Sequence, residues 1–476
     1  MVIAVSVKRT LALSLLVCLV GLTPSQVFAQ RRASSARPKF QNLAETPPLG
    51  WNSWDCYGPS VTEAEVKANA AYMARHMKRF GWQYVVVDIQ WYEPQAKAHG
   101  YRPNAELVMD KYGRLTPALN RFPSAARGRG FKPLADYVHR LGLKFGVHIV
   151  RGIPRQAVRA NTPVLGTKLR ARDVANTEST CPWIDDMYGV RADTAGGQAY
   201  YDSVVKQFAE WGVDYIKADD MSAYTQDEDT GADEARLSEI AALGRAIRKS
   251  GRPMVLSLSP GPASPRQVQT LRESAQLWRI SGDFWDRWED LRRQFDLGRR
   301  WIEHTGPGGW ADADMLPLGR ISIRGERGDD RMSLLTKDEQ VTLMTLWSIF
   351  RSPLMMGGDL PSNDEFTLSL LTNPEVLAVN QKSTGNRELF ARGERIAWAA
   401  DVPGSPDKYL AVFNVGNKET LVKVKWEELG LSGECRVRDL WARRHRGIVA
   451  DELSATVSPH GAQLYRVSPL RTERQQ

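Results

Sequence analysis

Between residues 47 and 383 the chain alternates about eight times between a short apolar, β-branched run and a stretch with helical spacing. That alternation leaves few folds open: strands joined by helix-length crossovers pair in parallel, and a parallel sheet needs cover on both faces. Tyr84–Trp91, YVVVDIQW, shows the pattern most clearly, since its apolar residues follow one another without alternation, as in a strand buried on both sides. Leu143–Val150, Met254–Ser259, Leu277–Asp283 and Leu354–Asp359 read the same way. Between the first strands, Thr62–Phe80 sets Val66, Ala70, Met73 and Met77 at helical spacing behind a Thr62/Glu65 capping box. A single (β/α)8 TIM barrel over 47–383 accommodates every alternation. A doubly wound open sheet is the alternative, but no strand-to-helix junction carries the Gly-rich phosphate turn such sheets use.

From about Thr384 the texture changes to short alternating strands (Ile396–Ala400, Tyr409–Asn414, Thr420–Trp426, Glu434–Asp439, Gln463–Val467) separated by Gly, Pro and Asn turns. A C-terminal antiparallel β-sandwich domain over 384–470 is expected. At the other end, Lys8 and Arg9 precede the apolar run Leu11–Leu22, and Val27-Phe28-Ala29 offers a small-residue cleavage site. These features predict a signal peptide over 1–29, a solvated linker over 30–46, and an exported protein, periplasmic or extracellular, with no membrane span once the signal is removed. The formal net charge of +9 is scattered, without the Lys or Arg run that tracks phosphates, so no nucleic-acid partner is expected. Cys56, Cys181 and Cys435 are too few for a disulfide framework, though one pair remains open. No Cys/His cluster has metal-ligand spacing, so no metal is expected. Oligomeric state has no signature in the sequence.

Chemistry concentrates in Trp211–Ser222, WGVDYIKADDMS. On a strand, alternate residues share a face, so Lys217 and Asp219 point the same way at the carboxyl end, where parallel α/β proteins keep their sites. An ammonium beside a carboxylate keeps it ionised, which suits a nucleophile. Further polar residues fall at the other strand ends: Asp55, Asp88, His148, Ser259, Asp283 and Asp314. In a barrel they would share a rim with Trp51, Trp54, Trp91, Trp183 and Trp310. Carboxylates between aromatic walls suit a sugar, whose hydroxyls take directional hydrogen bonds while its apolar face stacks on indole. A glycosidase needs one ionised and one protonated carboxyl; Asp219 fits the nucleophile, Asp283 the acid, and Arg279, on the same strand face as Asp283, a hydroxyl ligand.

The motifs LGWNSW, VVVDIQW, VDYIKADD, LWRISGD and GPGGWADADML, in this order, resemble those of glycoside hydrolase family 27, the melibiase or α-galactosidase family. The resemblance covers the barrel and the β-domain. It implies a retaining exo-glycosidase that releases terminal α-D-galactosyl residues by double displacement, with Asp219 as nucleophile and Asp283 as acid/base. It further implies sugar contacts from Trp54, Asp88, Lys217, Arg279 and Asp314, and no cofactor. Departures touch the substrate. Ile89 stands where family galactosidases carry the second Asp of a pair that holds the 4- and 6-hydroxyls; Ser259 stands near where they place a glutamate or another large residue beside the 2-hydroxyl; His148 replaces an aromatic. β-L-Arabinopyranosidase or α-N-acetylgalactosaminidase activity on the same scaffold is therefore an alternative, as is a non-catalytic carbohydrate-binding protein. The insertion at 151–194 is expected to wall the site, with Trp183 and Asp185 or Asp186 reaching the sugar.

Overall fold

The computed structural model describes residues 43–223, 231–259 and 261–470, without the side chain of residue 235. The expected signal peptide and most of the expected linker lie outside the described residues. Eight strands form one parallel sheet: β1 (Leu49–Asn52), β2 (Tyr84–Val87), β3 (Lys144–Val150), β4 (Tyr215–Asp219), β5 (Val255–Leu258), β6 (Leu277–Arg279), β7 (Trp310–Asp312) and β8 (Leu354–Met356). They pair in the order β7-β6-β5-β4-β3-β2-β1-β8. The segment after β7 closes the ring: Leu316 N donates to Met355 O at 2.8 Å, and Gly357 N donates to Leu316 O at 2.9 Å. Every residue of β2 and β8 is buried, as runs without polar alternation require.

The longer helices between the strands are α1 (Glu63–His76), α2 (Lys132–Arg140), α3 (Ala195–Trp211), α4 (Glu234–Ser250), α5 (Val268–Ser274), α6 (Trp288–Trp301) and α7 (Lys337–Phe350). α1 begins at the capping box: Glu65 N donates to Thr62 Oγ1 at 3.4 Å, and Thr62 N donates to Glu65 Oε2 at 2.9 Å. Its Val66, Ala70 and Met73 are buried. Two further helices, Glu365–Leu371 and Pro374–Lys382, follow β8.

Two segments differ from expectation. β6 ends at Arg279, four residues short of Asp283. Beyond it the neighbouring strand β5 has already ended; Ala263 N caps Arg279 O at 2.9 Å, and Gly261 lies so close that a Cβ there would meet Ser281 O at 2.2 Å. The chain turns across the barrel mouth instead, and Asp283 stands on that turn. The polar insertion after β3 carries an antiparallel three-stranded sheet of Ile153–Pro154, Met187–Val190 and Ala175–Thr180.

The C-terminal sandwich contains β9 (Thr384–Arg392), β10 (Arg395–Asp401), β11 (Lys408–Asn414), β12 (Thr420–Lys425), β13 (Glu434–Asp439), β14 (Arg444–Ala450), β15 (Glu452–Val457) and β16 (Ala462–Pro469). A six-stranded sheet, β9-β10-β11-β16-β13-β14, faces the pair β12-β15. β10 shows how it joins the barrel. Ile396, Trp398 and Ala400 enter the barrel core, while the alternate Ala397 and Ala399 enter the core between the two sheets. Cys56, Cys181 and Cys435 are free and buried, so the one pairing left open by the sequence does not form.

Candidate active site

The carboxyl ends of the barrel strands surround one pocket, and seven charged side chains at those ends line it: Asp55, Asp88, Lys217, Asp219, Arg279, Asp283 and Asp314. Lys217 and Asp219 alternate on β4 as the two half-buried positions of that strand. His148 on β3 pairs in register with Lys217, which brings its Nε2 to 2.9 Å from Asp219 Oδ2. An ionised carboxylate only accepts, so Nε2 carries the proton of this bond. Asp220 N donates to the other oxygen, Asp219 Oδ1, at 2.9 Å. Burial alone would raise the Asp219 carboxyl; the His148 hydrogen bond and the charges of His148 and Lys217 outweigh it and hold the carboxyl below the ordinary range. Lys217 acts on Asp219 through space, because its Nζ is bonded to Asp88 Oδ2 at 2.9 Å. Asp88 Oδ2 also accepts from Asn52 Nδ2 at 2.6 Å. There too burial is overcome, by the charges of Lys217 and His148, and the carboxyl lies low.

The opposite side is built around Arg279. Its Nη1 lies 2.7 Å from Asp314 Oδ1 and its Nη2 lies 3.2 Å from Asp283 Oδ1. Asp314 Oδ2 accepts from Phe284 N at 2.8 Å, which ties the Asp283 turn to the end of β7. Asp314 adopts a left-handed backbone (φ 84°), held by its N–H on Asp312 Oδ1 at 2.9 Å and by Trp347 Nε1 on its carbonyl at 2.9 Å. Burial, opposed by Arg279 and reinforced by Asp283 and Asp312, raises the Asp314 carboxyl. The Asp219 side chain is 14% exposed and that of Asp283 is 41% exposed. One carboxylate is thus held low inside the pocket while the other stands open at the mouth.

A family model described as alpha galactosidase A matches residues 184–382, and one for the alpha galactosidase C-terminal beta sandwich domain matches 392–467. A GH27 β-L-arabinopyranosidase from Geobacillus stearothermophilus is 52% identical, covering 92% of this chain and 99% of its own, with a TM-score of 0.88. The chain belongs to glycoside hydrolase family 27. A Bacillus halodurans C-125 protein provisionally assigned as an α-N-acetylgalactosaminidase is 48% identical over 89% of this chain and 97% of its own, with a TM-score of 0.80. The α-galactosidase of Cyamopsis tetragonoloba is 27% identical over 95% of this chain and 96% of its own. The chain is a glycoside hydrolase acting on carbohydrate.

The aromatic walls of this family 27 hydrolase differ in part from expectation. Trp54 and Trp183 line the pocket, the second carried there by the insertion, and Tyr101 links them with ring centroids 5.9 Å and 5.5 Å away. Trp51, Trp91 and Trp310 do not reach the rim. They are core residues whose indoles donate to Gly358 O, His148 O and Ala44 O at 2.9, 2.8 and 2.7 Å. Asp186 is also buried behind the wall, accepting from Gln90 Nε2 at 2.8 Å and Tyr92 OH at 3.0 Å; Asp185 Oδ2 caps Asn104 N at 2.9 Å. Neither carboxyl lines the pocket. Ser259 lies outside the lining as well, buried at the end of β5 with its N–H on Ala218 O at 2.8 Å. Tyr101, Trp285, Glu326 and Arg327, none of them expected from the sequence, also line the pocket. Trp285, two residues beyond Asp283 in a DFW run, carried a usable signal; the others sit in loops without periodicity.

Asp220 has a structural task. Its carboxyl is clamped between Arg151 Nε at 2.9 Å and Arg236 Nη2 at 2.8 Å, and Arg151 Nη1 also meets Glu239 at 2.6 Å. The clamp holds residue 220 at φ 58°, which aims its N–H at Asp219.

Proposed function

We propose that the protein is an exported, retaining exo-glycosidase that releases terminal β-L-arabinopyranose, with α-D-galactose as the slower alternative. Ile89 carries the choice of sugar: it is 1% exposed, follows Asp88 directly, and forms part of the pocket lining. The two sugars share their ring stereochemistry and differ by a CH2OH at C5. A buried branched hydrocarbon offers that group no hydrogen bond and takes up space beside it. This observation supports reversing the order set by the sequence, which put the galactoside first. The Geobacillus enzyme's activity, at 52% identity, supports the same choice. The N-acetylgalactosaminide alternative leaned on Ser259 beside C2, and that residue lies outside the lining. Export is supported by the Lys8, Arg9 and Leu11–Leu22 pattern ahead of Ala29.

In the proposed reaction Asp219 attacks the anomeric carbon while Asp283 gives its proton to the departing oxygen, and the C1–O bond to the aglycone breaks as the Asp219 ester forms. Asp283 then takes a proton from the water that attacks C1, releasing Asp219 and the sugar with its configuration retained. The low-held carboxyl of Asp219 inside the pocket and the open position of Asp283 at its mouth support this division. The test is kcat/KM on matched aryl β-L-arabinopyranoside, α-D-galactopyranoside and α-N-acetylgalactosaminide, for wild type and Ile89→Asp. The arabinoside should lead in the wild type by about tenfold or more, the worth of a methylene-sized clash. Ile89→Asp should shift the ratio by about as much toward the galactoside. A wild type that prefers galactoside, with no shift in the variant, would count against the reading.

A further inference from the structure

We infer that Asp55 contacts the substrate, its carboxyl sharing a hydrogen bond with one ring hydroxyl of the terminal sugar. The inference rests on the sugar-site reading of the pocket and adds a specificity residue to it. Asp55 stands in the helical turn Trp54–Tyr57 that follows β1, is 2% exposed, and lines the pocket. The other carboxyls on the inner wall of the site are engaged: Asp88 by Lys217 and Asn52, Asp219 by His148, Asp314 by Arg279. Asp55 Oδ2, in contrast, is buried with no hydrogen-bond partner among the described residues.

The surroundings are shaped to keep it there. Its main chain is fixed, Ser322 N donating to Asp55 O at 2.7 Å. A Cβ on Gly357, just beyond β8, would sit 1.8 Å from Asp55 Oδ2, and one on Gly325 would sit 2.7 Å from Asp55 O. Two glycines therefore leave the space that the aspartate occupies. A buried polar group without a partner is destabilising, and native proteins keep few of them. Oδ2 faces Gly357, so the oxygen of this unengaged carboxyl that a ligand in the pocket meets is the other one, Oδ1. Burial and then the Asp314 charge, opposed by Lys217 and reinforced by Asp283 and Asp88, push the Asp55 carboxyl well up. A shift in that direction favours the protonated carboxyl, which has an O–H to donate to a sugar oxygen.

The test uses aryl β-L-arabinopyranosides lacking the hydroxyl at C2, C3 or C4 in turn, with wild type, Asp55→Ala and Asp55→Asn. The intrinsic effect of deoxygenation on reactivity is common to all three enzymes and cancels in the comparison. One deoxy substrate should cost the wild type about tenfold or more in kcat/KM beyond what it costs Asp55→Ala, with the other two positions equal between enzymes. Asp55→Asn, which keeps a donor, should show an intermediate penalty at that same position. A merely structural role would lower the rates of Asp55→Ala uniformly and leave all three penalties at wild-type values, and that result would overturn the inference. If Asp55→Ala fails to fold in a thermal melt, Asp55→Asn decides: three unchanged penalties overturn it. A wild type inactive on both the parent arabinoside and the galactoside would instead remove the sugar-site reading, and the role of Asp55 with it.

Discussion

The role proposed for Asp219, attack on carbon from inside a pocket, needs a carboxylate that stays ionised where burial favours its acid form, and that requirement falls first on His148. The hydrogen bond and charge of His148 precede the charge of Lys217 among the causes that hold Asp219 low. Because the nucleophile works in its ionised form, activity is present above its pKa and lost as pH falls through it. Wild-type kcat/KM should therefore keep its Asp219-controlled acid limb below the ordinary Asp value of 3.8. In His148→Ala the limb should move to higher pH, with a plateau loss of about 10- to 100-fold; a limb that stays put would show that Lys217 suffices. This contact was not legible in the sequence, which paired Asp219 with Lys217, because it depends on the register between β3 and β4. Asp88, Asp219, Arg279 and Asp314 were legible because each ends a strand whose apolar run marks it. Trp51 and Trp54 illustrate the limit. Three residues apart, one is core and the other pocket wall, and an indole suits either place.

At the scale of elements, α1 does more than cover the sheet. Its capping residue Glu65 also binds Arg324 Nη2, at 2.6 and 2.8 Å, and Arg324 stands two residues before the pocket residue Glu326. Loss of the cap alone, in Thr62→Ala, should cost about 1 kcal/mol in urea unfolding with kcat/KM retained. No change in the midpoint would show that tertiary packing, not the cap, fixes the start of α1. The box was legible because it is local, needing two residues three apart. The buried strands were legible too, through their β-branched runs. β14, RHRGIVA, was not: exposed along almost its whole length at the sheet edge, it has no apolar face to alternate with a polar one. β6 ends four residues before its sequence suggests, since LWRISGD continues a strand-like pattern past the point where its partner β5 has ended.

For the whole molecule, the carboxyls divide into two sets with opposite effects on stability. Asp88 and Asp219 are held low, so their contribution is present above the unfolded value and is lost as pH falls through their folded values, below 3.8. Asp55, Asp312 and Asp314 are raised, and Asp186 is raised to about 6, chiefly by burial. Their contribution is present below the unfolded value and is lost as pH rises through the folded ones. Stability should peak on the acid side of neutrality, and the melting temperature at pH 5 should exceed that at pH 8. The reverse order would mean that other titrations dominate. Fold class at this scale was legible from the count of alternations and the change of texture near Thr384. The shared core was not, because the sequence of β10 does not say which of its two apolar faces meets the barrel.

The central claim is that Asp219 forms a bond to the sugar. A 2-deoxy-2-fluoro arabinopyranosyl fluoride slows release of the glycosyl-enzyme, and peptide mass spectrometry of the inactivated protein locates the label. The account predicts one glycosyl group per chain on Asp219; a label on another residue, or turnover to product of inverted configuration with no label, would contradict it.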